Sequence, residues 1–299
     1  MKNIDTLVED IYHALDSDHQ HETNEVLATK YAIQISVELT KATDQRTDAR
    51  EKGRLWASDL GKPCLRQHWY NFNDNPTKEK LDGHTKFKFL YGNILEESVL
   101  YLAEEAGHDV SHCQARVETQ VGDWTISGRI DGVVDGHLLD VKSTSTYGFK
   151  RYKEGINAVN DSFGYRFQLG FYKSFGDFDV PIVDSGFLWI DKGNGHLLYT
   201  QVDDLPTKAE LISRAQDIIE AVDKDEQMVP RAYGPTAYGK SGNMSLPMAC
   251  SYCPHKQQCW RDSNNGQGLR GFVYNQGPVW FTDVAREPKC PEIKERSDE

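Results

Sequence analysis

The chain has 299 residues, enough for one large domain or two modest ones. Its formal net charge of −12 argues against a surface that attracts nucleic acid as a whole, although it leaves room for a local basic groove. No apolar run is long enough to cross a bilayer, and the charged amino terminus lacks the apolar region of a signal peptide, so we expect a cytoplasmic protein with no membrane partner. The six cysteines are therefore more typical of metal ligands or free thiols than of disulfides.

Helical and strand patterns alternate along the chain and indicate an α/β fold. Residues 1–54 are polar with helical periodicity and predict a helical N-terminal region. The stretch FLYGNILEESVLYLAEEAGHDV predicts a helix with one apolar stripe, which Gly107 ends. Further along come strands in QARVETQVGDWTISGRIDGVV and HLLDVKSTS, a helix around YRFQLGFYKSF, a hairpin in SGFLWIDKGNGHLLYTQV, and a helix with a capping box at Thr207 and Glu210. We expect a central mixed sheet flanked by helices.

The segment GRIDGVVDGHLLDVK places two carboxylates opposite each other. Its Asp135-Gly136 pair is typical of a two-residue hairpin turn. Such a turn pairs Val134 with His137, Val133 with Leu138, Gly132 with Leu139, and Asp131 with Asp140. Directly opposed side chains have Cβ atoms about 4.5–5.5 Å apart, where like charges repel. The two aspartates therefore need a cation or a shared proton.

Lys142 follows Asp140 by two residues, so it projects from the same face of the predicted strand. Two carboxylates and an ammonium on one sheet face are typical of metal-dependent hydrolysis, and hard oxygen ligands favour Mg²⁺ or Mn²⁺. The metal would activate a water and neutralise charge at a phosphate, while the lysine would orient that water or stabilise the transition state. From these residues alone, the alternative is an exposed hairpin whose charges only keep it solvated.

Three further side chains bear on this choice. Gln168 and Tyr172 are four residues apart on a predicted helix and so share a face. Glu96 borders the apolar stripe of its own helix and can turn inward as a third metal ligand, whereas Glu97 is expected to point further out. The alternative for Glu96 is an ordinary surface glutamate.

A second candidate site lies in CSYCPHKQQC, where Cys250, Cys253 and Cys259 have the spacing of metal ligands. Sequence chemistry allows zinc, with His255 as a local fourth ligand, although only Pro254 separates that histidine from Cys253 and tetrahedral ligation would be strained. Two other cysteines, Cys113 and Cys290, have no motif around them and are expected to be free thiols. The chain after residue 228 is rich in Gly and Pro and predicts irregular structure, with a loop-like final forty residues.

The segment GPTAYGKS, residues 234–241, matches the Walker A pattern literally. A phosphate-binding loop needs a buried strand before it and a helix after it. The preceding DKDEQMVPRAY is polar and the following GNMSLPMAC contains Gly and Pro, so we interpret the match as a loop and expect no nucleoside triphosphate partner.

Four motifs occur in a fixed order: G-x-x-x-E from Gly92 to Glu96, G-x-x-D from Gly128 to Asp131, D-x-K from Asp140 to Lys142, and Q-x-x-x-Y from Gln168 to Tyr172. The set resembles the RecB-type branch of the PD-(D/E)XK nucleases, and the resemblance spans roughly residues 55–262. The segment ASDLGKPCLRQHWY around Cys64 adds to it, because in the iron–sulfur members of that branch one cysteine precedes the nuclease motifs and three follow. Those members include the CRISPR-associated exonucleases and the nuclease domains of AddB and of the eukaryotic Dna-two helicase–nuclease.

The resemblance implies a role for each matching residue. Glu96, Asp131, Asp140, Lys142, Gln168 and Tyr172 would form the catalytic site, with Glu96, Asp131, Asp140 and the backbone carbonyl of Val141 as metal ligands. In the iron–sulfur members a histidine usually stands where this chain has Glu96. A glutamate at that position resembles the lambda-type phage exonucleases instead. Cys64, Cys250, Cys253 and Cys259 would hold a structural [4Fe–4S] cluster. The implied segments are a nuclease core at 55–227, from which Cys64 joins the cluster, an iron–sulfur region at 228–262 and a loop-rich tail at 263–299.

We therefore expect a metal-dependent DNA exonuclease that acts on single strands or ends. Phosphate contacts are expected from basic residues near the D-x-K strand, namely Arg129, Lys150, Arg151, Lys153 and Arg166. Tyr147, Phe149 and Tyr152, interleaved with them, would stack on bases or pack in the core. One alternative is a non-catalytic iron–sulfur or zinc DNA-binding module, and another is a sequence-specific endonuclease with the same core. Protein partners, strand polarity and pathway are not readable from these residues.

Overall fold

A computed structural model describes residues 2–16, 23–43, 51–73, 83–275 and 277–293 of the chain. The chain divides into two compact units. The first comprises Met1–Lys62 and Leu81–Gln216, and the second comprises Pro63–Lys80 and Asp217–Glu299. The Cys64 segment, from which the cluster was expected to take a ligand, belongs to the second unit, as do residues 217–227 at the end of the expected core.

The first unit contains most of the helices. Its helices are α1 (Leu7–Leu15), α2 (Glu25–Thr43), α3 (Ala57–Leu60), α5 (Gly83–Glu105), α6 (Thr146–Tyr152), α7 (Tyr165–Phe175) and the first part of α8 (Lys208–Val222), and a 3-10 turn at Ile4–Thr6 precedes α1. The expected helical character of the N-terminal region is confirmed within its described residues by α1 and α2. Thr207 and Glu210 form the predicted capping box, with Thr207 Oγ1 accepting from the Glu210 amide at 3.3 Å. No helix in the described parts of the chain is both long and apolar enough to span a membrane.

Two sheets lie in the first unit, which confirms the expected mixed α/β fold. Their strands are β1 (Arg54–Trp56), β2 (Val110–Ser111), β3 (Arg116–Val121), β4 (Trp124–Arg129), β5 (Gly132–Val134), β6 (His137–Thr144), β7 (Asp184–Asp191) and β8 (Leu197–Gln201). The larger sheet has the order β2-β5-β6-β7-β8, with β6 and β7 parallel and the other pairs antiparallel. The smaller sheet has the order β1-β4-β3.

The β5–β6 hairpin forms with the predicted register at three of the four predicted pairs, whereas Asp131 precedes β5 and does not form the predicted strand pair with Asp140. Its paired residues are Gly132 with Leu139, Val133 with Leu138, and Val134 with His137. Asp135 and Gly136 both have positive φ, 51° and 79°, as a type I′ turn requires. The Asp135 carboxylate accepts the Asp109 amide at 3.0 Å and pairs with His108 Nδ1 at 2.6 Å, so the turn is also anchored from outside.

The core of the first unit lies between the large sheet and the helices α1, α2 and α5. Its buried members include Leu7, Ile11, Leu100, Leu139 and Leu188. Buried residues of α5 begin at Glu97 and recur at Val99, Leu100 and Ala103, so only the second half of this helix packs inward. β7 is buried over nearly its full length because it lies between two strands of the sheet.

The second unit is built from short elements. They are α4 (Leu65–Asn73), the last part of α8, a 3-10 turn (Glu226–Met228), β9 (Thr236–Ala237), β10 (Met244–Ser245), α9 (Met248–Ser251), α10 (Lys256–Cys259), α11 (Ser263–Gly266), β11 (Arg270–Tyr274) and β12 (Gly277–Asp283). The tail expected to be loop-like instead contains β11 and β12, which join β10 and β9 in an antiparallel sheet. Aromatic residues at alternate positions favour these strands, and Phe272 and Phe281 are buried between them. Residues 294–299 of that tail lie outside the described residues.

The Walker-like segment, residues 234–241, belongs to the antiparallel sheet of the second unit. It contains β9, and the amide of Tyr238 bonds to Asn243 O at 2.9 Å before β10 begins. A strand and a hairpin turn thus occupy the place where a phosphate-binding loop requires a helix.

Two glycines bring α3 and α7 together in the first unit. A Cβ added to Gly61 would lie 2.1 Å from Gly164 O, and one added to Gly164 would lie 2.3 Å from the backbone of Gly61. Gly164 also has φ of 77° and precedes α7 directly. The position of α7, which bears Gln168 and Tyr172, therefore depends on the absence of side chains at this contact.

We expect Gly61→Ala to destabilise the protein by about 1–3 kcal/mol, because the added methyl group meets backbone that cannot rotate away. Chemical denaturation with a circular dichroism readout measures the free energy of unfolding. Gly83→Ala is the matched control, since nothing lies within 4 Å of its added Cβ. Equal stability of the two variants would contradict the close contact.

Candidate active site

The β5–β6 hairpin and the loop before it bring the two predicted aspartates into one buried site. Asp131 is 9 % exposed and Asp140 is 1 % exposed, so neither carboxylate is a solvated surface charge. Asp131 Oδ2 accepts the amide of Val141 at 2.6 Å, which ties the first aspartate to the strand that bears the second. The interpretation of the hairpin as a merely solvated surface feature is therefore wrong.

Lys142 pairs with Asp140, as the shared strand face predicts. Burial alone would lower the pKa of this lysine, but the carboxylates of Asp140 and Asp131 outweigh it and raise the pKa above its ordinary value. Its ammonium also lies 5.4 Å from the centre of the Tyr165 ring. The lysine is consequently held as a cation beside the two aspartates.

Glu96 of α5 faces the same site. Burial raises the pKa of Glu96 to about 7, even though the Lys142 charge lowers it, and the Asp140 charge adds to the rise. Gln114 Nε2 donates to Glu96 Oε1 at 2.9 Å and orients the carboxylate. A Cβ added to Gly92 would lie 3.2 Å from Ser143 Oγ, so the glycine of the G-x-x-x-E motif allows α5 to approach β6.

Glu97 does not point outward as expected. It is only 3 % exposed, and burial raises its pKa while the charges of Glu38 and Lys41 on α2 act on it. Glu97 thus belongs to the contact between α5 and α2, on a different side of the helix from the aspartates. The predicted apolar stripe of α5 is buried at Val99 and Ala103. In addition, α2 covers a second face of α5, and the helical period alone does not indicate that contact.

Gln168 and Tyr172 share a face of α7, as predicted. Gln168 Nε2 donates to the Tyr172 hydroxyl at 3.1 Å. Burial raises the pKa of Tyr172, and the charges of Asp140 and Asp131 raise it further, so the hydroxyl stays protonated and faces the carboxylates. A Cβ on Gly128 would lie 2.7 Å from this hydroxyl, which explains the glycine of the G-x-x-D motif.

The donor set fits a hard divalent cation. Apart from the Lys142 ammonium, neither oxygen of Asp140 has a hydrogen-bond partner among the described residues, which is costly for buried carboxylate atoms. Burial and the charges of Glu96 and Asp140 raise the pKa of Asp131 well above its ordinary value. Within the described ranges, no three His, Cys, Asp or Glu side chains are already arranged around one metal position, so ligation would need side-chain adjustment. Oxygen donors of this kind suit Mg²⁺ or Mn²⁺.

The predicted DNA-contacting cations separate into two groups. Arg129, Lys150, Arg151 and Lys153 are exposed, the last three in or directly after α6. Arg166 is 7 % exposed instead, and its guanidinium bonds to the backbone carbonyl of Asp204 and pairs with the Asp204 carboxylate at 2.7 Å. Arg166 is thus a structural cation and not a phosphate contact.

The aromatic residues near these cations also differ among themselves. Tyr152 is 3 % exposed and stacks on Trp189 at 4.2 Å, so it belongs to the core, whereas Tyr147 is 81 % exposed. Gln114 and Tyr165 were missed by the sequence motifs. Gln114 lies in an irregular segment at positive φ, and no periodicity indicates its contact with Glu96. Tyr165 precedes Gln168 by one helical turn, which was the available signal.

The four predicted cluster cysteines line one small pocket in the second unit. The other residues of this pocket are Gln67, Tyr70, Arg231, Ala232, Lys256 and Trp260. Burial, followed by the neighbouring Cys64 and Cys259 thiolates, raises the pKa of Cys250 to about 11. Burial likewise raises the pKa of Cys253 to about 12, with the backbone amide of His255 acting against the rise. Thiolates this close repel one another, and a bound cationic group would relieve the repulsion.

His255 does not point its Nε2 atom at the cysteines. That atom lies 2.8 Å from Asn71 Oδ1, and the ring stacks on Tyr70 at 5.5 Å. This geometry disfavours the local zinc site with His255 as a fourth ligand.

Arginines surround the cysteine pocket. Arg231 Nε donates to Cys259 O at 3.1 Å, and Arg66 and Arg231 both act to lower the pKa of Cys259, which burial raises overall. Glu226 accepts from Arg66 at 2.7 Å and from Arg261 at 2.8 Å. These contacts position the pocket and place positive charge beside its sulfur atoms.

Comparison with known proteins identifies the family of the chain. The family model described as the PD-(D/E)XK nuclease superfamily matches residues 30–260. No curated protein matches the chain significantly. The solved crystal structure of SSO0001 is similar over 75 % of this chain and 93 % of that one, with 14 % identity and a TM-score of 0.45, a likeness too low to carry an argument. The family match spans more than half of the chain and includes the hairpin aspartates, Lys142, Glu96, Gln168 and Tyr172. The chain therefore belongs to the PD-(D/E)XK nuclease superfamily.

Proposed function

We propose that this chain is a metal-dependent deoxyribonuclease, and specifically an exonuclease that acts on single-stranded DNA or DNA ends. The observation that carries the proposal is the group formed by two buried carboxylates, Asp131 and Asp140, and the half-buried Glu96 around the Lys142 ammonium. Gathering three carboxylates in one desolvated site costs stability unless a cation compensates, and one lysine compensates only in part. Functional sites are where such unfavourable arrangements are retained.

Each side chain has a role that follows from its position. Glu96, Asp131 and Asp140, with the carbonyl of Val141, would hold Mg²⁺ or Mn²⁺. When bound, the metal supplies charge neutralisation at the phosphate and lowers the pKa of an attacking water. Lys142 holds a proton at Nζ and donates it as a hydrogen bond to the incoming water or the phosphate oxygen. Tyr172, kept protonated and oriented by Gln168, offers a second donor at the same site.

We also propose that the four cysteines hold a [4Fe–4S] cluster in the second unit. In such a cluster each thiolate binds a different iron, so the cysteines need to surround a volume and need not meet at one point. Cys64 and the C-terminal three surround one pocket within one compact unit, which is consistent with this requirement. The cluster would close a chain loop of almost two hundred residues and act structurally.

A non-catalytic DNA-binding module remains the second candidate. The exposed cations Arg129, Lys150, Arg151 and Lys153 favour it, since they would bind phosphates whether or not cleavage follows. It leaves the buried carboxylates without a use. Catalysis by the purified chain distinguishes the two.

The first test is hydrolysis of labelled single-stranded DNA with Mn²⁺ or Mg²⁺. We expect Lys142→Ala to lower the rate by about 10²–10⁴-fold, since a positioned proton donor contributes that much. Lys224→Ala, which removes an exposed lysine of the second unit, is the control and should match the wild type. A Lys142→Ala variant as active as the wild type would show that the catalytic assignment is wrong.

The second test compares linear with circular single-stranded DNA under the same conditions. An exonuclease degrades only the linear form because it needs an end. Degradation of both forms at similar rates would replace the exonuclease by an endonuclease with the same core.

The third prediction concerns pH and the metal-free protein. The folded pKa of Glu96, about 7, exceeds its ordinary value, so the folded state binds more protons than the unfolded state between about pH 4.3 and 7. Stability in EDTA should therefore rise as the pH falls through this window, by about 1–3 kcal/mol. Glu96→Gln should make this dependence of stability on pH shallower, measured by urea denaturation at several pH values, while the raised pKa of Asp131 keeps part of it. With excess Mn²⁺ the trend should weaken or reverse, because protons then compete with the metal.

The fourth prediction concerns the cysteines. Protein purified without oxygen should be brown and contain about four irons per chain. Cys64→Ser should lose iron and the visible absorbance, although residue 64 lies far from the other three in sequence. Cys290→Ser, outside the pocket, is the control and should keep both. Colourless wild-type protein that contains zinc instead would contradict the cluster.

A further inference from the structure

A cleft beside the candidate active site has a composition suited to one nucleotide. It has a volume of about 290 Å³, near the lower end of the range for small-ligand sites. Its lining includes Trp56, Ser58, Arg116, Ser127, Arg129 and Tyr172. The cleft lies within the first unit and combines an aromatic ring, two guanidinium groups and hydroxyls in an otherwise acidic chain.

Strand register places the main groups on one face of the small sheet. Trp56 pairs with Ser127 across β1 and β4, and Arg116 pairs with Arg129 across β3 and β4. Paired residues point to the same side, and Ser127 and Arg129 are two apart on β4, so all four side chains share that side. Trp56 is 46 % exposed, so part of the residue is accessible to a ligand in the cleft.

Ser127 gives an independent sign of a ligand. It is 1 % exposed, yet its hydroxyl has no hydrogen-bond partner among the described residues. A buried hydroxyl left unpaired is destabilising, and a ligand phosphate or base edge in the cleft would satisfy it. Arg116 Nε donates to Glu118 at 2.8 Å, so this arginine is partly neutralised, whereas Arg129 supplies the stronger field.

The cleft adjoins the candidate catalytic residues at two points. Tyr172 lines the cleft and also faces Asp140 and Asp131. Arg129 precedes Asp131 by two residues, a separation of about 7 Å at most along the backbone. A nucleotide in the cleft would therefore be next to a phosphate at the carboxylates.

We propose that this cleft binds the nucleotide adjoining the scissile phosphate of a DNA strand, with its base stacked on Trp56 and its phosphate held by Arg129, Arg116 and Ser127. The proposal rests on the nuclease function proposed above. Stacking on Trp56 requires an exposed base, so the cleft accepts an unpaired nucleotide and disfavours an intact duplex. Trp56 and Arg129 are thus substrate-positioning residues.

The test is equilibrium binding of a fluorescent single-stranded oligonucleotide to chains that carry Lys142→Ala, which slows cleavage. Trp56→Leu should weaken binding about 5- to 30-fold, and Trp56→Tyr should retain most of the affinity, because tyrosine stacks and leucine does not. Arg129→Ala should weaken binding and reduce the slope of log affinity against log salt by about 0.7. Lys173→Ala, an exposed lysine on the helix of Tyr172, should change neither.

An abasic substrate identifies the nucleotide. The base is removed at each of the three terminal positions of the oligonucleotide in turn. At one of these positions, base removal should weaken binding to the Lys142→Ala parent and leave binding to the Trp56→Leu variant unchanged. In steady-state cleavage, Trp56→Leu and Trp56→Tyr should differ in KM more than in kcat. Circular dichroism melting of each variant separates these effects from loss of folding.

The outcomes are distinguishable. If the wild type cleaves DNA but Trp56→Leu and Arg129→Ala bind it within twofold of the parent, the cleft proposal is overturned and the nuclease stands. If the wild type neither binds nor cleaves DNA with Mn²⁺, both proposals fall. If Trp56→Leu and Trp56→Tyr lose DNA affinity equally, the ring fills space and does not stack on a base, which also overturns the proposal.

Discussion

The ion pair between the Lys142 ammonium and the buried Asp140, with the charges of Asp131 and Glu96 beside it, is the constraint on which the rest of the structure depends. Removing such charges from water is unfavourable, so the surrounding fold has to hold them in place. The Asp135-Gly136 turn sets the register, the Val141 amide binds Asp131, and Gln114 binds Glu96. Each of these contacts places a carboxylate that would otherwise turn to solvent.

Glycines allow helices and strands to close around these charges. Gly92 permits α5 to approach β6, Gly128 makes room for the Tyr172 ring, and Gly61 with Gly164 brings α7 towards α3. A side chain at any of these positions would separate elements that carry site residues. The motif glycines are therefore explained by close packing, and only Gly164 among these four also uses its freedom at positive φ.

The second unit is built from short elements that need stabilising contacts of another kind. Its elements are short, and a unit of this kind buries little apolar surface relative to its size. The ion-pair network of Glu226 with Arg66 and Arg261 supplies cross-links that a small core does not. Hydrogen bonds from Arg66, Arg261 and Tyr70 outweigh burial and lower the pKa of Glu226 to about 2, so the network stays charged over the whole physiological range.

The sequence by itself determined the features that depend on local chemistry: the hairpin turn, the register of the three β5–β6 pairs, the face shared by Gln168 and Tyr172, and the capping box at Thr207. Each of these features depends on residues only a few positions apart, because turn type and the period of a strand or helix determine it. Only the tertiary structure decided that Glu97 is buried against α2, that Arg166 is neutralised by Asp204, and that the tail forms strands. It also brought Trp56, Ser127 and Arg129 into one cleft. These outcomes depend on partners distant in sequence, whose approach no local period encodes.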